Sequence, residues 1–221
     1  MLLNSLLLMS QIEMKPIDAE QLEEFLDRCG SVEGVRYPTS YIKEQGEAWG
    51  VFRHGELLGG YVIIVKVPFR TTSFLAAHGI PHDYSDDELI ELGGVWMEKA
   101  FRQKRYTTPL WLHMTSRIKA NNKNFVIYGY SLQKKGLQKL YAAGNPHILF
   151  RGFTATGEGL KTHSTASIEV INTSRATAAI FFKALGRVFT LKLVKSGNND
   201  QLPELGSKLE NIESHRTVLS E

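Results

Sequence analysis

Apolar and polar residues alternate along several segments of this chain, and elsewhere they recur at helical spacing. The clearest alternation lies in residues 48–67, where β-branched and aromatic residues flank the pair His54 and Gly55. A two-residue connection ending in glycine is typical of tight hairpin turns. We therefore predict a β-hairpin in this segment, preceded by a first strand over residues 11–17.

A helical stripe lies between that first strand and the hairpin. Leu22, Phe25 and Leu26 share one helical face, Asp18 begins a capping box, and Gly30 is placed to end the helix. The other predicted elements are strands over 89–101, 124–132, 147–155, 164–172 and 187–195, and helices over about 39–46, 108–119, 133–144 and 173–186. This mixture of strands and helices predicts an α/β protein, of α+β character, around one mixed sheet.

Composition narrows the class of protein. The 221 residues are 43% hydrophobic and 22% charged, which excludes a disordered, collagen-like or coiled-coil chain. The net charge of +3 confines any nucleic-acid binding to a local basic patch. We expect a single domain over residues 1–195 and a polar tail over 196–221.

Cysteine and histidine usage argues against disulfides and metals. Cys29 is the only cysteine, so an internal disulfide is excluded, and a cytoplasmic location is predicted. His78 and His82 are separated by Gly79 and Pro81, with no third ligand near them, so no metal site is predicted. The apolar run in residues 1–10 is far shorter than the roughly 20 residues that span a bilayer, so no membrane span is predicted.

The segment 101–114 joins the long strand to a helix through a basic loop. Thr108 suits the N-cap and Pro109 the first helical position, so we predict that the helix starts there and that residues 102–108 form a loop. Unbonded N–H groups at a helix start attract anions, and arginine binds phosphate with a forked pair of donors. Arg102, Lys104 and Arg105 therefore predict a phosphate-binding loop.

This segment resembles the GNAT acyltransferase superfamily, whose signature is a strand L-x-V-x-P-x-x-R followed by a pyrophosphate loop R-G-x-G-x-G/A. Val95, Met97, Arg102 and Leu110 fall on the leucine, valine, arginine and helix-leucine positions, whereas Lys99 replaces the proline. Gln103, Arg105 and Thr107 replace the three glycines. The resemblance implies a GNAT-like fold with acetyl-CoA or another acyl-CoA as co-substrate, and an extra helix and strand after residue 172. The implied coenzyme-binding residues are Val95, Met97, Arg102, Gln103, Lys104, Arg105, Tyr106, Thr107 and Thr108.

The same resemblance implies roles in catalysis. The N–H of Met97 would hold the acyl carbonyl, and Val95 would run along the pantetheine arm. Glu91 occupies the place of a general base, although a water chain, Glu98 or a solvent-facing role for Glu91 remain alternatives. Tyr141 would protonate the leaving thiolate. A rival alignment puts Phe182 at the tyrosine position and requires an insertion of about forty residues, a length that connections in compact domains rarely reach.

Two classes of function follow. The first is an N-acyltransferase that moves an acyl group, by expectation acetyl, from acyl-CoA to a primary amine by direct attack. The second is a non-catalytic fold of the same kind that binds nucleic acid, an acyl carrier or a protein partner, of which nucleic acid is disfavoured. A homodimer is a further expectation.

Overall fold

The computed structural model describes residues 12–33, 36–133, 138, 142, 144–154 and 164–182. The strands are β1 (Ile12–Pro16), β2 (Gly46–Arg53), β3 (Glu56–Ile64), β4 (Leu89–Met97), β5 (Phe125–Ser131), β6 (His147–Thr154) and β7 (Ser164–Asn172). The helices are α1 (Leu22–Glu33), α2 (Thr39–Gln45), α3 (Arg70–Ala77) and α4 (Lys104–Ala120), and residues 173–182 are helical and form α5.

The strands form one seven-stranded sheet in the order β1-β2-β3-β4-β5-β7-β6. All neighbouring strands run antiparallel except β4 and β5, which run parallel because α4 carries the chain back between them. The predicted mixed sheet of an α/β protein is therefore confirmed.

Alternation along the strands divides the core between the two faces of the sheet. The α1 face, as we name it, carries α1, α2 and α3 over residues such as Val62, Leu89 and Ile127. The α4 face carries α4 and α5 over residues such as Ile63 and Ile90. Both faces of the central strands are covered, which explains why β3 reads as a continuous apolar run.

Two local sequence predictions are confirmed. His54 and Gly55 both have positive φ, 52° and 81°, and they join β2 to β3 as a two-residue hairpin turn. Asp18 Oδ1 accepts hydrogen bonds from the N–H groups of Glu20 (3.1 Å) and Gln21 (2.8 Å) immediately before α1. The predicted end of α1 at Gly30 is wrong, because the helix continues to Glu33. A Cβ on Gly30 would lie 3.1 Å from Cβ of Arg36, so glycine serves a close chain crossing there.

The predicted start of α4 is also wrong. The helix begins at Lys104, so most of the expected loop 102–108 is helical and Pro109 lies inside the helix. Tyr106 and Thr108 are buried, and the Tyr106 ring meets Phe101 edge-on at 5.2 Å between centroids. Without glycines at 103, 105 and 107 nothing favours an open loop, and burial of Tyr106 holds the first turn against the core.

Helix α3 was not predicted, because its sequence lacks a capping side chain and a clear apolar stripe. Three predictions lie outside the described residues: most of the helix over 133–144, the strand over 187–195 and the tail over 196–221.

Candidate functional site

The candidate site is a fork between the two parallel strands. Pairing of β4 with β5 ends at Leu92 and Tyr128, although β4 continues to Met97 and β5 to Ser131. A bulge in β4 accompanies the fork: the register against β3 shifts by one residue, and Gly94 has a φ of +55°. On the side that β5 has left, the backbone of β4 beyond Leu92 therefore has no strand partner among the described residues.

The first residue beyond the last β4–β5 pair is a glycine on each strand, Gly93 on β4 and Gly129 on β5. Both glycines lie on the α1 face of the sheet. A Cβ on Gly93 would overlap the hydroxyl of Tyr37, a residue between α1 and α2. A Cβ on Gly129 would lie 3.8 Å from the Thr71 methyl carbon, an ordinary contact. Gly129 is exposed between buried Tyr128 and Tyr130, so the fork opens to solvent on this face.

Glu91 lies directly behind this opening. It is only 1% exposed, so the solvent-facing alternative is wrong. Its Oε2 accepts hydrogen bonds from the N–H (3.0 Å) and the Oγ1 (2.9 Å) of Thr71, and the carboxylate thereby caps α3. Burial raises the pKa of Glu91, against the opposing effects of the Thr71 hydrogen bonds and the Arg70 guanidinium.

Tyr37 completes the α1-face wall of the fork. It is 6% exposed, its ring stacks on Tyr41 with centroids 6.3 Å apart, and the Arg70 guanidinium lies 4.7 Å above its centroid. Burial raises the pKa of Tyr37 well above its ordinary value, with a further contribution from Glu91. Sequence reasoning missed Tyr37 and Thr71, because neither belongs to a local motif and each meets the fork only through the fold.

The end of β4 presents its backbone to the fork. Glu98 N–H donates to Leu58 O (2.9 Å), and Met97 pairs with Gly59. Since alternate residues of an antiparallel ladder point to opposite sides, the N–H and C=O of Met97 point away from β3. Arg102 Nε donates to Met97 O (2.9 Å), which brings this guanidinium to the same edge. Val95, two residues before Met97, is half-buried.

The start of α4 lies just beyond Arg102. Gln103 is the N-cap residue without a side-chain cap, and its carbonyl accepts from Tyr106 N–H (3.0 Å), Thr107 N–H (3.1 Å) and Thr107 Oγ1 (3.2 Å). The amides of Lys104 and Arg105 precede this first helical bond. Tyr106 Oη accepts from Arg53 (3.1 Å). The side chains of Lys104 and Arg105 lie outside what the structure describes.

The remaining predicted residues divide as follows. Glu98 pairs with Arg28 of α1 at 3.1 Å, which ties the alternative base to a surface ion pair. Tyr141 lies outside the described residues, so its role stays a prediction. Phe182, the rival position, lies in α5 and is 70% exposed.

A buried polar cluster lies on the opposite wall, on the α4 face of β5 and β7. Glu169, 2% exposed, accepts from Tyr130 Oη (2.7 Å), Ser167 Oγ (2.8 Å) and Tyr128 Oη (3.2 Å), and lies 3.5 Å from Arg151 Nη2. Burial raises the pKa of Tyr130 to about 12, and its bond to Glu169 adds to this. The polar 167 and 169 positions inside an apolar strand were the sequence signal for this cluster.

Two negative findings apply to the described part of the chain. It contains no group of three or more His, Cys, Asp or Glu residues that could hold a metal ion. Within the same residues, no helix has both the length and the apolar character needed to cross a membrane.

No protein-family model and no curated protein sequence matches this chain. Solved structures do. FeeM, an N-acyl amino acid synthase from uncultured soil microbes, superposes with a TM-score of 0.54 at 12% identity, over 77% of this chain and 97% of that one. NAA60 of Arabidopsis thaliana, solved in complex with acetyl-CoA, gives 0.53 at 13% identity, over 73% and 98%. An N-acetyltransferase of Staphylococcus aureus Mu50 gives 0.52 at 12% identity, over 73% and 98%.

The chain therefore has the GNAT acetyltransferase fold, as the resemblance of residues 95–110 implied. At identities this low, the structural similarity establishes only the fold. The activity has to be argued from the residues.

Proposed function

We propose that the protein is an N-acyltransferase that transfers an acyl group, by preference acetyl, from acyl-CoA to a primary amine. One observation carries the proposal: β4 leaves β5 after Leu92, and the Met97 N–H points into the gap that results. An unpaired strand edge can bind an extended amide chain such as pantetheine, and a lone N–H can stabilise the oxyanion that forms when a thioester is attacked.

The start of α4 can bind the phosphate groups of the coenzyme, although it offers fewer free N–H groups than a glycine loop does. The amides of Lys104 and Arg105 precede the first helical hydrogen bond, and Arg102 stands at the same edge. Tyr106 and Thr108 are buried and shape the turn from within. We assign phosphate binding to Arg102, Gln103, Lys104, Arg105 and Thr107.

In the proposed reaction the amine nitrogen attacks the thioester carbon, whose oxygen accepts from the Met97 N–H. The amine loses a proton toward Glu91, the C–S bond breaks, and Tyr141 protonates the thiolate. The amine would enter from the α1 face, where Gly129 is exposed. A homodimer and a cytoplasmic location remain part of the proposal.

Calorimetric titration tests coenzyme binding first. Acetyl-CoA and a long-chain acyl-CoA are titrated into wild type, Arg102→Ala and Lys119→Ala, the last removing an exposed charge at the far end of α4. We expect saturable binding of acetyl-CoA, weakened about tenfold or more in Arg102→Ala, since charge-assisted hydrogen bonds contribute roughly 1.5–3 kcal/mol. Lys119→Ala should bind as wild type does.

The outcome separates the two classes of function. Equal affinity in Arg102→Ala and Lys119→Ala would refute the phosphate assignment. No thioester binding by wild type would refute the acyltransferase and leave the non-catalytic binding module, for which a duplex DNA titrated at two salt concentrations and an acyl carrier protein are the next ligands. An amine panel with detection of released thiol then identifies the acceptor.

A further inference from the structure

The arrangement on the α1 face defines where the proton of the acceptor amine can go. The carboxylate of Glu91 is buried, and Thr71 is the residue that meets both this carboxylate and the opening at Gly129. Its Oγ1 donates to Glu91 Oε2 at 2.9 Å, whereas its methyl group faces the position that a Gly129 side chain would occupy. Thr71 therefore lies between the opening at Gly129 and the carboxylate of Glu91, with its hydroxyl on the Glu91 side.

We propose that Thr71 is a catalytic residue: its hydroxyl takes the proton from the attacking amine and passes its own proton to Glu91. This inference rests on the proposed acyltransferase function. The hydroxyl of threonine can accept one hydrogen bond while it donates another, which is what such a relay requires.

The proton transfers balance over one turnover. As the C–N bond forms, an amine proton moves to Thr71 Oγ1 and the Thr71 hydroxyl proton moves to Glu91 Oε2. The threonine ends neutral, Glu91 ends as a carboxylic acid, and the amine nitrogen ends as a neutral amide nitrogen. The C–S bond breaks toward the thiolate, which takes its proton from the donor assigned above to Tyr141. When product leaves, Glu91 releases its proton to solvent and Tyr141 takes one up, so both groups return to their starting protonation states.

The charged and titratable groups around Glu91 are suited to this role. Arg70 of α3 acts to lower its pKa, whereas burial raises it, so the carboxylate becomes a stronger base than an exposed one. Tyr37 and Tyr41 each feel the charge of Glu91, and burial raises the pKa of both, so they stay neutral. Cys29 of α1 lies near enough to Tyr37 to influence its pKa.

A purely structural role for the Thr71 hydroxyl can be separated experimentally from a catalytic one. The capping of α3 uses the Thr71 N–H, which donates to Glu91 at 3.0 Å and is retained in Thr71→Val and Thr71→Ser. The hydroxyl is a second bond to the same oxygen. Thr72, next to it on the helix, donates its hydroxyl to the Phe69 carbonyl at 3.3 Å and provides a matched control.

The test compares Thr71→Val, Thr71→Ser, Thr72→Val and Glu91→Gln. Each is first shown to bind acetyl-CoA and to unfold cooperatively in urea, and acetyl transfer is then followed from pH 5 to 10 by thiol release. We expect Thr71→Val and Glu91→Gln each to lower kcat by about 100-fold or more, the usual range for loss of acid-base catalysis. Thr71→Ser should restore most of the rate, and Thr72→Val should match wild type.

The pH profile distinguishes the relay from a packing effect. In wild type the acidic limb of kcat/KM reports ionisation of Glu91, and this limb should disappear in Thr71→Val and in Glu91→Gln. Wild-type rates or an unchanged acidic limb in Thr71→Val would overturn the relay while leaving the acyltransferase intact. If wild type transfers to no amine although it binds acetyl-CoA, the proposed function fails and the relay fails with it.

Discussion

Replacing Gly93 by alanine tests the geometry of the fork directly. The added Cβ would overlap the Tyr37 hydroxyl and would lie 2.7 Å from Cζ of the same ring. Gly93 does not have positive φ, so alanine meets no backbone strain there. Tyr37 is held between Tyr41 and Arg70 and has no simple way to withdraw, so the cost of the substitution falls on this one contact.

The expected magnitude is a difference of two terms. Replacing glycine by alanine in a compatible conformation stabilises a protein by roughly 0.4–1 kcal/mol through the unfolded chain. Overpacking a core costs typically 1–3 kcal/mol. We expect Gly93→Ala to lower the free energy of unfolding by about 1–2 kcal/mol.

Gly129→Ala is the matched control, since it makes the same change one residue past the last pair on the other strand. Its nearest neighbours, Ile168, Ser167 and Thr71, lie 3.7–3.8 Å from the new Cβ, so alanine fits without a clash. We expect unchanged or slightly higher stability together with lower turnover, because the methyl group narrows the opening beside Thr71. Urea denaturation at a fixed m-value measures the first effect and thiol release the second.

A double-mutant cycle with Tyr37→Phe identifies the clash. Removing the hydroxyl deletes the worst overlap, so Gly93→Ala should cost less in the Tyr37→Phe background, by at least about 0.5 kcal/mol. If Gly93→Ala and Gly129→Ala were equally stable, Tyr37 would not pack against Gly93 and the described geometry would be refuted. The same conclusion would follow if the stability effects of Gly93→Ala and Tyr37→Phe were additive.

Two further stability predictions concern buried carboxylates. Burial raises the pKa of Glu91 above 4.5, its ordinary value, so the folded protein binds more protons than the unfolded chain between the two values. Wild type should therefore lose stability relative to Glu91→Gln as the pH rises from 4.5 through the folded pKa, and parallel curves in urea titrations across pH 4–8 would contradict this. Glu169→Leu removes the buried carboxylate that accepts hydrogen bonds from Tyr128, Tyr130 and Ser167. It should lower the free energy of unfolding in urea by about 3–5 kcal/mol, whereas Glu56→Leu at the exposed start of β3 should change it very little.

Local chemistry made part of the fold predictable. The turn at His54 and Gly55 needs two residues of positive φ, and the cap of α1 needs an acceptor at Asp18, so both can be identified from adjacent residues. The frame of residues 95–110 identified the fold because strand, basic residues and helix leucine keep a fixed spacing. The end of α1 could not be predicted this way, because Gly30 does not end the helix and instead allows a close approach of Arg36, which lies beyond the helix.

The residues of the candidate site could be predicted only along β4 and its continuation. Glu91, Met97 and Arg102 fall on one continuous segment, whereas Tyr37, Thr71 and Gly129 come from three separate connections or elements. Thr71 meets Glu91 because the Glu91 carboxylate caps the N-terminus of α3, although the two residues are twenty positions apart in the chain. Periodicity contains no signal for such a cap, so neither α3 nor the contact of Thr71 with Glu91 could be predicted from the sequence.

The absence of loop glycines has a physical consequence for this version of the fold. A glycine loop lets phosphate approach bare N–H groups from several sides. Here α4 is already helical at Lys104, and burial of Tyr106 and Thr108 fixes its first turns, so only the amides before the first helical bond face outward. In the proposed mechanism, the hydrogen bond from Arg102 to the Met97 carbonyl would link phosphate binding to the strand residue whose N–H is proposed to hold the acyl carbonyl. If the proposal is correct, coenzyme position and oxyanion geometry both depend on the short segment 97–102, and a substitution there should lower coenzyme affinity and turnover together.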